Sequence, residues 1–263
     1  MKSILDFTRA KREAQPIVMV AAYDALMARL LAASAVDAIL VGDSAAMVVH
    51  GYPSTLHATV EMMVVHTAAV RRGAPDAVVI ADLPFLGVRQ GRDAAVRAAG
   101  ALMQAGATAV KIEGVAGHGD IIAHLVGSGI PVMGHLGLTP QSMHQLGGFR
   151  VQGRTAEAAA RLQAEAQELE NLGAFALVLE CVPAGLATAI STDRAIPVIG
   201  IGAGPATDGQ VLVLADLLGL DAVFRPRFAR RYLEGHALAL AAVNAFAADV
   251  RGARFPAREE VLA

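Results

Sequence analysis

The chain contains one cysteine, Cys181, in 263 residues, and no tryptophan. A single thiol excludes an intrachain disulfide and a multi-cysteine metal cluster. Cys181 ends an apolar run, where a small buried hydrophobe is the simpler expectation than a nucleophile. Net charge is also scarce, at −2, so no strong field invites nucleic acid or an anionic membrane surface. The longest segment without Asp, Glu, Lys or Arg, Ile121 to Phe149, carries three His, two Pro and several Gly, which excludes a membrane-spanning helix. The opening "MKSILDFTRAKREAQ" has amphipathic spacing and mixed charge but no apolar core or small-residue cleavage site, so the expected location is cytoplasmic. Without a Pro/Ser-rich linker or low-complexity tract, residues 1–263 are expected to form one domain, with an N-terminal helical segment and a short polar C-terminal tail.

Apolar residues are plentiful: 55% of the chain is hydrophobic and mean hydropathy is +0.49. With no membrane span, that excess points to a surface covered in an oligomer. The segment "HALALAAVNAFAADV" fits this, with apolar residues on more faces than one core contact covers.

Short apolar runs recur at 17–22, 38–42, 77–81, 109–113, 130–135, 176–180, 196–202 and 211–215. Each is rich in Val, Ile, Leu or Ala without strict alternation, the pattern of strands covered on both faces of a parallel sheet. Helical spacing over 60–72, 92–105 and 155–171 supplies crossovers, the last two ending at "QAGA" and "NLGA" with a glycine at the expected C-cap. An α/β fold consisting of a single (β/α)8 barrel is predicted, with a doubly wound open sheet as the alternative.

The strand ends carry the chemistry. Asp43, Asp82, Glu113, His135, Glu180 and Asp216 stand at or just after the ends of six of these runs. In a parallel barrel such ends converge on one face, where active sites sit. Any one of them could cap a helix, but several carboxylates crowded together repel unless a cation or shared proton relieves them. Oxygen ligands without cysteine or paired histidines suit Mg²⁺. Lys111 is a second signal. The chain has 19 Arg but three Lys, and Lys2 and Lys11 belong to the N-terminal segment, expected to be solvated. Lys111 sits inside a strand two residues from Glu113, on the same pleat face. There an ammonium can fix a substrate carboxylate, form a Schiff base, or simply pair with Glu113.

The blocks "VGDSAAM", "HTAAVRRGAP", "ADLPF", "AVKIEG", "GHLGLTPQS", "GGFRVQGRT", "LVLECVP", "IPVIGIGAG", "TDGQVLV" and "RPRFARRY" closely resemble, in this order, the ketopantoate hydroxymethyltransferase family. The resemblance implies a (β/α)8 barrel of the phosphoenolpyruvate mutase-like type. It also implies Mg²⁺-dependent transfer of a hydroxymethyl group from 5,10-methylenetetrahydrofolate to 3-methyl-2-oxobutanoate, giving 2-dehydropantoate on the route to pantothenate, in rings of subunits that commonly form a homodecamer. By the same resemblance Asp43 and Asp82 are metal ligands that also meet the substrate, and Glu113 lies close to the metal or its waters. Lys111 holds the substrate carboxylate, Ser44 hydrogen-bonds the substrate, His135 lies beside it, and Glu180 is the proton acceptor. The alternative is a Mg²⁺-dependent lyase or mutase acting on a 2-oxo acid, but the cysteine loop typical of the lyases is missing between Glu113 and Ile130. The chain departs from the family pattern at Pro53 and His57. "GIGAGPATDG" lacks the third glycine spacing of a dinucleotide loop and reads as a tight turn at the rim. "RPRFARR" could bind an anion such as the glutamate tail of a folate, although a solvated helix start is the simpler expectation. His50, His57, His66, His118, His124, His144 and His236 show no metal spacing and are expected to be structural.

Overall fold

A computed structural model describes residues 3–261. The chain divides into two compact units, Met1–Leu212 and Val213–Ala263. Eight parallel strands close into a barrel in sequential order: β1 (Ile17–Ala21), β2 (Ala38–Val41), β3 (Val78–Asp82), β4 (Ala109–Glu113), β5 (Val132–Gly137), β6 (Ala176–Glu180), β7 (Val198–Ile201) and β8 (Gly209–Val213). Strands β2, β3 and β4 are buried at every residue. This is why their sequences run apolar without alternation.

Two strands start later than their apolar runs. Pro131 and Pro197 have no N–H to give a ladder, so β5 begins at Val132 and β7 at Val198. β8 starts earlier than expected, and its apolar run continues into a short helix, Leu214–Leu217, which carries Asp216. Asp216 therefore lies in a helix and not at a strand end, which corrects its expected place in the ring.

Outer helices cover the first unit at Ala25–Ala32, Val60–Gly73, Arg92–Gln104, Gly119–Gly127, Ala156–Asn171 and Ala184–Asp193. Three start with side-chain caps: Asp24 accepts from Met27 N, Thr59 from Met62 N and Thr155 from Ala158 N. Gly106 and Gly173 adopt left-handed φ just past two helix ends, as the sequence predicts. The β7–β8 connection has no helix. Its turn is held by Gln210 Nε2, which donates to Gly204 O and Thr207 Oγ1.

The N-terminal helix Leu5–Arg12 packs Phe7, fully buried, edge-on against Phe175 with ring centroids 5.4 Å apart. Emptying that site as Phe7→Ala would cost about 3–5 kcal/mol. Lys11 is not solvated as expected. Its Nζ donates to Asp208 Oδ2 at 2.8 Å and Ser191 O at 2.7 Å. Asp208 Oδ2 also accepts from Ser191 Oγ and Val198 N, while Asp208 O accepts from Ile17 N. These bonds join the start of the chain to the last strands. Lys2 lies outside the described residues. Where β8 meets β1, Gly209 leaves no room for a Cβ against Ile17 O.

In the second unit the helix Gly235–Arg251 has only Gly235 buried, and Leu238, Leu240, Val243, Phe246 and Val250 are exposed. Among the described residues no helix is long and apolar enough to cross a membrane.

Candidate active site

Strand register sets the site. Asp82 on β3 is level with Lys111 on β4, and Glu113 on β4 is level with His135 on β5. Glu180 ends β6 opposite Gly137. Asp43 follows β2 after Gly42. The structure thus brings together Asp43, Asp82, Lys111, Glu113, His135 and Glu180, with Ser44 beside Asp43.

Asp43, Asp82, Lys111, Glu113 and His135 are all buried. Glu180 is the most open of the carboxylates, its side chain 17% exposed. Lys111 Nζ lies 2.9 Å from Asp82 Oδ1, an ion pair without hydrogen-bond geometry. Asp82 Oδ2 accepts the backbone N–H of Asp43 at 3.1 Å. His135 lies between two acids, with Nδ1 3.3 Å from Glu113 Oε1 and Nε2 3.2 Å from Glu180 Oε2. Lys111 Nζ also approaches His135 Nδ1 at 3.4 Å.

The titration of these groups follows from burial and neighbours. Burial pushes Asp43 well above the usual carboxylate range, and the charges of Asp82 and Glu113 push it further. Asp82 is also raised, because burial outweighs the opposing effect of Lys111. Burial works against the charge of Glu113 too, but the bond and charge of His135 win and hold it low. For Lys111, burial is overcome by Asp82, Glu113 and Asp43, which keep it firmly protonated. Burial and Lys111 oppose a proton on His135, yet Glu113 and Glu180 raise it to about 9. Four carboxylates thus face two cations, an imbalance that a divalent ion relieves.

Two contributors are absent from the sequence reading. Gln141, in the one-turn helix Pro140–Ser142 after β5, donates Nε2 to Asp43 Oδ2 at 2.8 Å and to Leu83 O at 3.0 Å, and its backbone N–H to Glu113 Oε2 at 2.9 Å. Being neutral, it escapes a search for ionisable strand ends. Tyr23, just after β1, shares a 2.8 Å hydrogen bond between its hydroxyl and Ser44 Oγ. Its backbone oxygen accepts from His66 Nδ1 at 2.7 Å, leaving His66 Nε2 to accept from His50 Nε2 at 2.8 Å. His57 stacks on Tyr52 with centroids 4.8 Å apart. Cys181 adopts φ +47°, and burial, then the charge of Glu180, raises its thiol to about 11. It is not activated as a nucleophile.

Fold and site together define a (β/α)8-barrel protein with a buried, acid-rich polar site at the C-terminal ends of its strands. Solved structures similar in fold include phosphonopyruvate hydrolase in complex with oxalate and Mg²⁺ (TM-score 0.65, 13% identity, covering 99% of this chain and 93% of that one). Another is 2,3-dimethylmalate lyase of the PEP mutase/isocitrate lyase superfamily (TM-score 0.59, 19% identity, 100% and 92%). At these identities the likeness is one of fold, the phosphoenolpyruvate mutase-like barrel.

Sequence comparison is more specific. The ketopantoate hydroxymethyltransferase profile matches residues 1–258. The chain is 51% identical over 260 residues to the 3-methyl-2-oxobutanoate hydroxymethyltransferase of Bdellovibrio bacteriovorus, covering 99% of both chains. It is 50% identical over 257 residues to that of Legionella pneumophila (strain Corby), covering 97% of this chain and 98% of the relative. The chain belongs to the ketopantoate hydroxymethyltransferase family.

Proposed function

We propose that this protein transfers a hydroxymethyl group to 3-methyl-2-oxobutanoate from 5,10-methylenetetrahydrofolate, with water supplying the hydroxyl oxygen, to give 2-dehydropantoate and tetrahydrofolate. Above all, Lys111, the raised pair Asp43 and Asp82, and the more open Glu180 support this reading: they converge on one barrel mouth in a member of this family.

The donor set fits Mg²⁺. Among the described residues no group of three or more His, Cys, Asp or Glu forms a ready-made metal cage. Asp43 and Asp82 supply two hard-oxygen side chains, which suits an ion that binds through one or two carboxylates plus water and substrate. Glu113, its two oxygens taken by His135 and Gln141 N–H, would reach the ion through water. When bound, Mg²⁺ would polarise the keto oxygen of a 2-oxo acid and offset charge building there as C3 loses its proton.

The chain's own side chains supply the rest. The Lys111 ammonium balances the substrate carboxylate. The Ser44 hydroxyl, oriented by Tyr23, hydrogen-bonds the substrate. Glu180 takes the C3 proton. His135 Nε2 faces Glu180 Oε2 and orients that carboxyl, leaving Oε1 to meet the proton. Water adds its oxygen to the one-carbon unit as one of its C–N bonds to the folate breaks, and the carbanion electrons at C3 form the new C–C bond as the other breaks. The folate nitrogens keep both electron pairs and take up protons to leave tetrahydrofolate. The barrel aligns the two partners and shields C3 from bulk water while it carries the negative charge.

The chain acts in this reading as one functional domain over 1–263, in the cytoplasm and in a homodecamer whose contacts cover the apolar helix Gly235–Arg251. Light scattering is expected to give the mass of a multi-subunit assembly, and a monomer at micromolar concentration would overturn the assembly. The activity is tested by assaying 2-dehydropantoate formation from 3-methyl-2-oxobutanoate, methylenetetrahydrofolate and Mg²⁺. Absence of product, or full activity in EDTA, would refute the reading.

A further inference from the structure

Ser44 belongs to a chain of side chains that continues behind the barrel mouth. It stands just ahead of the short helix Ala45–Val48, where a serine usually caps, yet its side chain makes no cap bond. Its Oγ turns back over Gly42, 2.7 Å from where a Cβ there would lie, and meets the Tyr23 hydroxyl at 2.8 Å. A serine hydroxyl has a single hydrogen to give. When that hydrogen goes to a substrate, the Tyr23 O–H must donate to Ser44 Oγ. The position of the Tyr23 ring then sets the direction in which Ser44 points.

Tyr23 is held in turn from outside its own strand. Buried at the bend after β1, it follows the bond from Ala22 N to Leu40 O and precedes Asp24, the cap of the next helix. In this bend its backbone oxygen accepts from His66 Nδ1 at 2.7 Å, and the two rings meet edge-on with centroids 6.3 Å apart. His66 is buried in the helix Val60–Gly73. A carbonyl only accepts, so Nδ1 carries a hydrogen, and Nε2 faces His50 Nε2 at 2.8 Å. Both ring nitrogens of this buried histidine are thus engaged by other segments, one by the end of β1 and one by the loop after β2. A side chain needed only to fill space has no use for that pattern.

We propose that His66 is a positioning residue for the substrate hydrogen bond, acting through Tyr23 on the Ser44 hydroxyl. The inference rests on the hydroxymethyl-transfer reading, in which Ser44 meets 3-methyl-2-oxobutanoate. Without the Nδ1 donor the Tyr23 peptide is free to turn, the phenol swings with it, and Ser44 loses the donor that aims its hydrogen.

The test compares two amides in the full chain. In His66→Asn the amide nitrogen falls where Nδ1 stood and can still donate to Tyr23 O; in His66→Gln it falls near the place of Nε2 and cannot. Affinity for 3-methyl-2-oxobutanoate in the presence of Mg²⁺, read by calorimetry, should drop about 3- to 10-fold in His66→Gln and stay within about twofold of wild type in His66→Asn. The same substitutions are then made in Ser44→Ala, itself expected to bind about 10-fold more weakly. There His66→Gln should change affinity by less than about twofold, because the hydroxyl it acts on is gone. Tyr23→Phe keeps the backbone link and removes only the phenol oxygen. It should match the loss in His66→Gln and be equally silent in Ser44→Ala. A histidine with a packing role alone gives another pattern: the same loss of affinity with or without the Ser44 hydroxyl, or a lower melting temperature with affinity untouched. Either result overturns the proposal, as does a loss in His66→Asn equal to that in His66→Gln. If His66→Gln does not fold, Tyr23→Phe in the two backgrounds decides, and unchanged affinity there overturns the proposal. Wild-type protein that binds no 3-methyl-2-oxobutanoate would instead sink the reading on which the proposal rests.

Discussion

Gln141 holds Asp43 by an amide hydrogen bond of 2.8 Å from Nε2 to Oδ2. The bond compensates part of the desolvation of this carboxylate without neutralising it, so the site keeps its demand for a cation. Gln141→Met keeps the side-chain volume, and the backbone bond to Glu113 survives, but the bonds to Asp43 and Leu83 O go. Affinity for Mn²⁺, read by electron paramagnetic resonance as a stand-in for Mg²⁺, should drop about 10- to 100-fold. Wild-type affinity in the variant would remove Gln141 from any part in cation binding.

Glu180→Gln separates the base from the metal site. The variant keeps the shape and a hydrogen-bonding group, so 3-methyl-2-oxobutanoate should bind with near wild-type affinity in calorimetry. Turnover should fall by roughly two to four orders of magnitude, and C3 exchange in D₂O should be lost with it. Asp82→Ala should also lose exchange, but together with substrate binding. Exchange at the wild-type rate in Glu180→Gln would show that Glu180 is not the base.

Lys111→Met leaves Asp82 buried without its cation, which should destabilise the metal-free protein by about 3–5 kcal/mol at pH 7. The sign with pH follows from Asp82. Its folded pKa is raised, so ionising it costs stability as pH rises through that value, and protonating it at lower pH restores stability. The gap between variant and wild type in urea midpoints should narrow from pH 7 to pH 5. A constant gap would mean that Asp82 finds another partner.

Strand order was readable because residues buried on both faces leave unbroken apolar runs. Boundaries were harder. Pro131 and Pro197 belong to apolar runs yet cannot donate to a ladder, and the run through Val213 and Leu214 crosses from strand into helix without any change of polarity. That shift moved Asp216 out of the expected ring. The ionisable members of the site were visible as charges that apolar strands would otherwise exclude. Gln141 and Tyr23 were not, since an uncharged side chain after a strand looks like any loop residue until its partners are known. The pairing of Lys11 with Asp208 was equally hidden, being fixed by barrel closure.

The thiol of Cys181 reports on Glu180. Burial and the carboxylate beside it raise the thiol to about 11, roughly two units above an ordinary cysteine, so the native thiolate fraction at pH 8 is lower by about 100-fold. Iodoacetamide should label the native chain about 100-fold more slowly than the urea-unfolded chain, read unambiguously by mass because the cysteine is single. Glu180→Gln removes the neighbouring charge and should speed native labelling a few-fold. Equal rates in native and unfolded protein would show that the thiol is unperturbed.

Lys11 meets Asp208 across 197 positions of sequence, and the same aspartate's backbone oxygen accepts from Ile17 N at the start of β1. During synthesis the outer edge of β1 therefore waits, its hydrogen-bonding groups unpaired, until nearly the whole first unit has left the ribosome. An open edge exposed for that long is a template for wrong pairing between nascent chains. The salt link between Lys11 and Asp208 is thus the latch that ends this vulnerable interval, and expression yield, more than the melting temperature of the finished protein, is where its loss would be felt.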